Sequence, residues 1–132
     1  MKFNAKTPPR AFEVGNTIRF NIYDCGDMHL EADEQITFRT ESDAEYDVAR
    51  KDWGFYATPS LNGRLPKFGL QAVLIRNFIT GLYFIFLVEP DKQQSFEAYC
   101  VQENLEVVSW MNSSEALDEL KNAMIKKQTD DN

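Results

Sequence analysis

Polar turn signals recur at intervals of about 8–12 residues through the first half of the chain, with β-branched and aromatic residues filling the gaps. Strands that short must turn back on one another, so the pattern favours an antiparallel meander, a small barrel or a roll. Ile18, Phe20 and Ile22 alternate with Thr17, Arg19 and Asn21, which predicts a half-buried strand within residues 12–23. Asp24-Cys25-Gly26-Asp27 reads as a turn, Met28 to Leu30 as a short return strand, and Gln35 to Thr40 as the next strand, through Ile36 and Phe38. Glu41-Ser42-Asp43 is a further turn before Tyr46 and Val48. Residues 1–10, with Pro8-Pro9, read as an extended arm rather than a paired element.

The second half changes character. Phe68 to Arg76 and Leu82 to Glu89 are strongly apolar, and the latter carries large side chains at both parities, which predicts a central strand covered on two faces. Asp91 and Gln94 have capping-box spacing and open a helix that buries Phe96, Tyr99 and Cys100, with Asn104 as its C-terminal cap. A strand from Leu105 to Met111 follows, then a helix opened by Asn112 and Glu115 with an apolar stripe of Leu117, Leu120, Ala123 and Met124. Its acids lie early and its lysines late, as the helix dipole favours. Thr129 to Asn132 read as a frayed polar tail. The expected fold is α+β: residues 11–89 β-rich and mostly antiparallel, residues 90–128 helix-strand-helix with both helices packed on the sheet, all in one domain.

Charge narrows the partners. A net charge of −7 opposes non-specific binding to nucleic acid or anionic lipid. Residues 24–47 hold nine acids against one base, and residues 50–76 five bases against one acid. That local excess suits an anionic small ligand, although such charges also simply solvate loops. The longest apolar run, Leu82 to Val88, is seven residues, far below the roughly 20 of a membrane-spanning helix. Cys25 and Cys100 form no disulfide framework and the first residues carry no secretory apolar core, so a cytoplasmic protein is expected. With a single histidine, His29, no metal site and no cofactor are expected.

Catalytic signals are weak. Cys25 and His29 offer the elements of a thiol–imidazole pair, but a lone cysteine after a strand more often packs as a small hydrophobe. Asp24, Asp27, Glu45 and Asp47 lie near predicted strand ends, where carboxylate acid–base chemistry would be possible. The segment from Asp52 to Leu70 is the better candidate, for binding rather than catalysis. Its aromatic faces suit sugar rings or bases, Ser60 and Asn62 offer directional hydrogen bonds, and Arg64 and Lys67 suit a phosphate or carboxylate. Tyr56, Ser60, Asn62, Arg64 and Lys67 are the candidate ligand residues. The competing reading makes Trp53, Phe55 and Tyr56 core residues and Asn62-Gly63 only a turn.

The runs Glu45-Tyr46-Asp47-Val48 and Lys51 through Asn62, with Phe68-Gly69 and Leu87-Val88-Glu89, resemble a group of small uncharacterised bacterial proteins encoded among genes for surface sugars and polysaccharides. The resemblance spans about Phe12 to Met111 and implies a sugar-related accessory role, without catalytic residues to transfer. The function expected is therefore a non-catalytic binding or accessory module for a sugar or nucleotide-sugar. The alternatives are a small acid–base enzyme on a related ligand, or a protein-interaction subunit whose aromatic stretch forms a homo-oligomer contact.

Overall fold

A computed structural model describes residues 1–130. The fold is α+β, with three antiparallel sheets, helices following the strands at the C-terminal end, and no closed barrel among the described residues. Strands β1 (Lys2–Val14) and β2 (Phe20–His29) form a two-stranded hairpin. Strands β3 (Gln35–Arg39), β4 (Glu45–Lys51) and β5 (Gly54–Ala57) form a meander. A single turn of helix, α1 (Arg64–Lys67), leads to the third sheet, in which β6 (Gln71–Asn77) lies between β7 (Tyr83–Val88) and β8 (Leu105–Trp110). Helix α2 (Gln93–Glu103) joins β7 to β8, and α3 (Ser114–Asp130) ends the described chain.

The hairpin revises the reading of the first 30 residues. Residues 2–10 pair with β2 instead of forming an unpaired arm, and Asp24 to Asp27 continue β2 instead of turning. The reversal sits at residues 15–19, where Gly15 has φ +108° and a Cβ there would meet the Ile18 carbonyl at 2.2 Å. The Arg19 guanidinium closes the turn by donating to the Gly15 carbonyl at 2.8 Å. Pro8 and Pro9 have no N–H to give a ladder, so Lys6 to Pro9 bulge out opposite Cys25 alone.

The core belongs to the third sheet. On one face, Val73, Ile75 and Val88 pack against Phe96 and Cys100 of α2, with Phe86, Leu105 and Trp110 at the margin. The Phe96 and Trp110 rings meet edge-on at 5.6 Å. On the other face Ala72 joins Ala44, Leu65 and Leu70, bordered by Tyr46, Leu61, Leu87 and Met111, which ties the meander to the third sheet. Because β6 lies between β7 and β8, it and not β7 is the central strand. β7 is an edge strand, and Tyr83, Phe84 and Ile85 are exposed.

The helix ends also differ in detail. Asn104 caps α2 in the left-handed conformation as expected, but Asp91 lies in a 3-10 turn (Pro90–Lys92) and makes no side-chain cap. Helix α3 is capped by Ser113, whose Oγ accepts from the Ala116 N–H at 3.2 Å. Its first turn is partly covered, whereas Leu120, Ala123 and Met124 face solvent. The polar tail from Thr129 begins inside α3, and its last two residues lie outside the described ones.

Candidate functional site

Trp53, Phe55 and Tyr56 are exposed, so the reading of these three as core residues does not hold. Trp53 sits in the turn of the β4–β5 hairpin, and Phe55 and Tyr56 lie on β5, an edge strand of the meander. Of the five candidate ligand residues, two share a cavity. Tyr56 and Ser60 line a space of about 370 Å³ whose other walls are mainly apolar, among them Tyr46, Leu61, Ile85 and Leu87.

The other three are placed elsewhere. Asn62 donates to Ser114 Oγ at 3.1 Å and so tethers the α1 turn to the start of α3. Arg64 lies 3.6 Å from the buried Asp47 carboxylate and stacks over the Phe68 ring at 5.1 Å. Ser60 itself is partly structural, since its Oγ accepts from the Arg64 N–H at 2.9 Å. Lys67 is exposed and reaches a different cavity, of about 480 Å³.

That second cavity leads to residues the sequence did not single out. Three contiguous cavities, the largest about 570 Å³, share Glu89 at the end of β7. Glu89 Oε1 accepts hydrogen bonds from Thr40 Oγ1 at 2.7 Å and from Ser42 Oγ. Both hydroxyls come from the turn between β3 and β4, whose shape is set by the Thr40 backbone pairing with Ala44 and by Asp43 at φ 65°. The Ser42 and Thr40 bonds, with lesser help from Lys92, hold the Glu89 carboxyl below the usual range. Aromatic rings of Phe86, Phe96 and Tyr99 form the apolar wall, while Lys92 and Ser95 supply polar atoms.

The catalytic candidates are separated or engaged. Cys25 and His29 lie along one strand, about 13 Å apart at the usual rise per residue, so thiol and imidazole do not meet. Burial pushes the Cys100 thiol up. Asp24 is paired with Lys6 at 2.9 Å and Arg10 at 3.5 Å, Asp27 with Lys6 at 3.5 Å, and Glu45 with Arg39 at 2.9 Å. Asp47 accepts from Thr37 Oγ1 across the β3–β4 ladder. Among the described residues no three His, Cys, Asp or Glu side chains are grouped to hold a metal ion, and no helix is long and apolar enough to cross a membrane.

Glu89 could have been noticed only as an acid that ends an apolar strand and precedes a proline. Thr40 and Ser42 carry no local signal, because they lie 49 and 47 residues from Glu89 in sequence and the fold alone joins them. The chain matches no family model, no curated protein and no solved structure.

Proposed function

We propose that the protein is a non-catalytic binding module that takes a sugar or nucleotide-sugar in the cleft around Glu89. The observation that carries this reading is an ionised carboxylate, fixed by two hydroxyls, beside an aromatic wall in a cavity of about 570 Å³. Clefts of that size, mostly apolar with a few placed polar groups, suit compact organic ligands. The CH faces of a sugar ring pack on Phe86, Phe96 and Tyr99, and its hydroxyls donate to the carboxylate. Both protein bonds go to Oε1, so Oε2 keeps acceptor capacity for the ligand. Lys92 and Lys67, in the cavities that share Glu89, suit the phosphates of a nucleotide-sugar. A carboxyl held below its usual range is an acceptor at neutral pH and a poor proton donor, which favours binding over general acid catalysis.

Thermal unfolding measured with UDP-hexoses and with the free hexoses tests this. A bound ligand at a hundred times its Kd stabilises by about 2.7 kcal/mol, so the midpoint should rise with concentration. Glu89→Ala should remove the response to both ligand types, Lys92→Ala mainly the extra response to the phosphorylated ones, and Arg64→Ala neither. No stabilisation by any of these ligands, or an undiminished response in Glu89→Ala, would overturn the reading.

A further inference from the structure

The outer edge of β7 carries the strongest unused feature of the molecule. Its sequence, Tyr83-Phe84-Ile85-Phe86-Leu87-Val88, contains no charge, no proline and no glycine, and among the described residues no strand pairs with its outer side. Proteins ordinarily blunt such edges with charges, prolines or bulges. The other edges here are blunted: β1 by Pro8, Pro9 and its bulge, β2 by Asp24 and Asp27, β3 by Arg39, β5 by its length of four residues, and β8 by Glu106 and a break in register opposite β6. Around the β7 edge, Phe78, Ile79, Leu82, Tyr83, Phe84 and Ile85 are all exposed.

The ladder shows which backbone groups are open. The Asn77 N–H donates to the Leu82 carbonyl at 2.8 Å, and antiparallel pairs alternate from there, so Phe84, Phe86 and Val88 bond inward to β6. The N–H and C=O of Tyr83, Ile85 and Leu87 therefore point outward. Three outward residues centred on Ile85 make a self-complementary set.

We propose that two copies of this chain dimerise by antiparallel pairing of β7 with its two-fold mate, with Ile85 on the axis. In that register Tyr83 pairs with Leu87 of the second copy, Ile85 with Ile85, and Phe84 packs across from Phe86. Every outward N–H and C=O gains a partner, and the two three-stranded sheets become one six-stranded sheet. The open groups of Tyr83, Ile85 and Leu87 match themselves under a two-fold axis at Ile85, which favours a second copy as the occupant, and the exposed area leaves surface for it to cover. A compact monomer of 15.3 kDa exposes about 7,150 Å². This chain exposes 9480 Å², about a third more. The hairpin and α3 account for part of that excess, and roughly 800 Å² per partner is enough for a stable interface. The inference does not depend on the ligand reading.

Sedimentation equilibrium of the full chain tests it, with a mass of twice 15.3 kDa expected for the wild type. Ile85 is exposed, so Ile85→Lys and Ile85→Glu should keep the fold, as circular dichroism would show. Each sets two like charges against one another on the axis and should weaken the dimer about a hundredfold. Mixed in equal amounts, the two variants should pair again as a heterodimer. As a measurement free of mutation, amide exchange of Tyr83, Ile85 and Leu87 should slow as protein concentration rises. A monomeric wild type, a dimer indifferent to Ile85→Lys, or variants that stay monomeric when mixed would each overturn the proposal.

Discussion

Strand β2 of the hairpin alternates apolar and polar residues from Phe20 to Tyr23, whereas β6 and β7 are apolar at both parities, and the two regions end in opposite environments. Val73 and Ile75 of β6 are fully buried, while no residue of β1 or β2 is buried. The difference lies in what covers each strand. α2 and the second core cluster close the two faces of β6, whereas the hairpin meets the body mainly at its tip, where the Asn16 N–H donates to the Glu103 carboxylate at 3.2 Å and Phe20 meets Tyr99 edge-on at 6.3 Å. An alternating strand states which residues share a face. It does not state that the face is covered.

Substitutions sharpen this contrast most where the burial gap is widest. Ile75→Ala should cost about 3–4 kcal/mol in urea unfolding, through lost transfer energy and an unfilled cavity. Ile22→Ala, at an exposed residue paired across the strands with half-buried Phe12, should cost only about 0.5 kcal/mol. Similar losses at the two positions would mean that the hairpin packs far more tightly than its exposure indicates.

The anchor between the two regions should show an intermediate effect. Glu103→Ala removes the acceptor of the Asn16 N–H, a loss of about 1–2 kcal/mol, while leaving the bond from Asn16 Nδ2 to the Glu103 carbonyl. Amide exchange at Val14 and Phe20 should quicken, with Val73 and Ile75 unchanged. Uniform acceleration of both sets would show that hairpin and sheet open as one unit.

The smallest effect is electrostatic and confined to the hairpin. Lys6, then the Gly26 N–H, hold the Asp24 carboxyl below its ordinary value of 3.8. A depressed folded value means that this contribution is fully present above 3.8 and fades as pH falls through the lower folded value. A titration of the Asp24 carboxyl signal should therefore show a midpoint below 3.8 that moves back towards it in Lys6→Ala or at high salt. An unmoved midpoint would indicate that Lys6 does not pair with Asp24 in solution.

Much of the fold was legible because it rests on local chemistry. Asn104 as a left-handed cap, the helix that buries Phe96 and Cys100, and the strands through Val48, Val73 and Val107 all follow from periodicity and capping, although Tyr99, expected to be buried with the first two, is exposed. The hairpin was misread because Pro8-Pro9 and Asp24-Cys25-Gly26-Asp27 are local punctuation that a wide bulge absorbs. The candidate site was legible only in part. Of the five sequence candidates only Lys67 lines a cavity that shares Glu89; Tyr56 and Ser60 line a separate one, and Asn62 and Arg64 are engaged by Ser114 and Asp47, which lie far from them in sequence.

By itself, the sequence determined the fold class, the positions of most strands, both long helices and the acidic balance, since each depends on neighbours within a few turns or residues. Only the tertiary structure decided that β6 rather than β7 is central, that the Trp53–Tyr56 aromatics stay in solvent, and that Thr40 and Ser42 converge on Glu89. Those outcomes depend on the order of strands and on which faces are covered. Sheet order joins residues distant in sequence, and no local pattern encodes it.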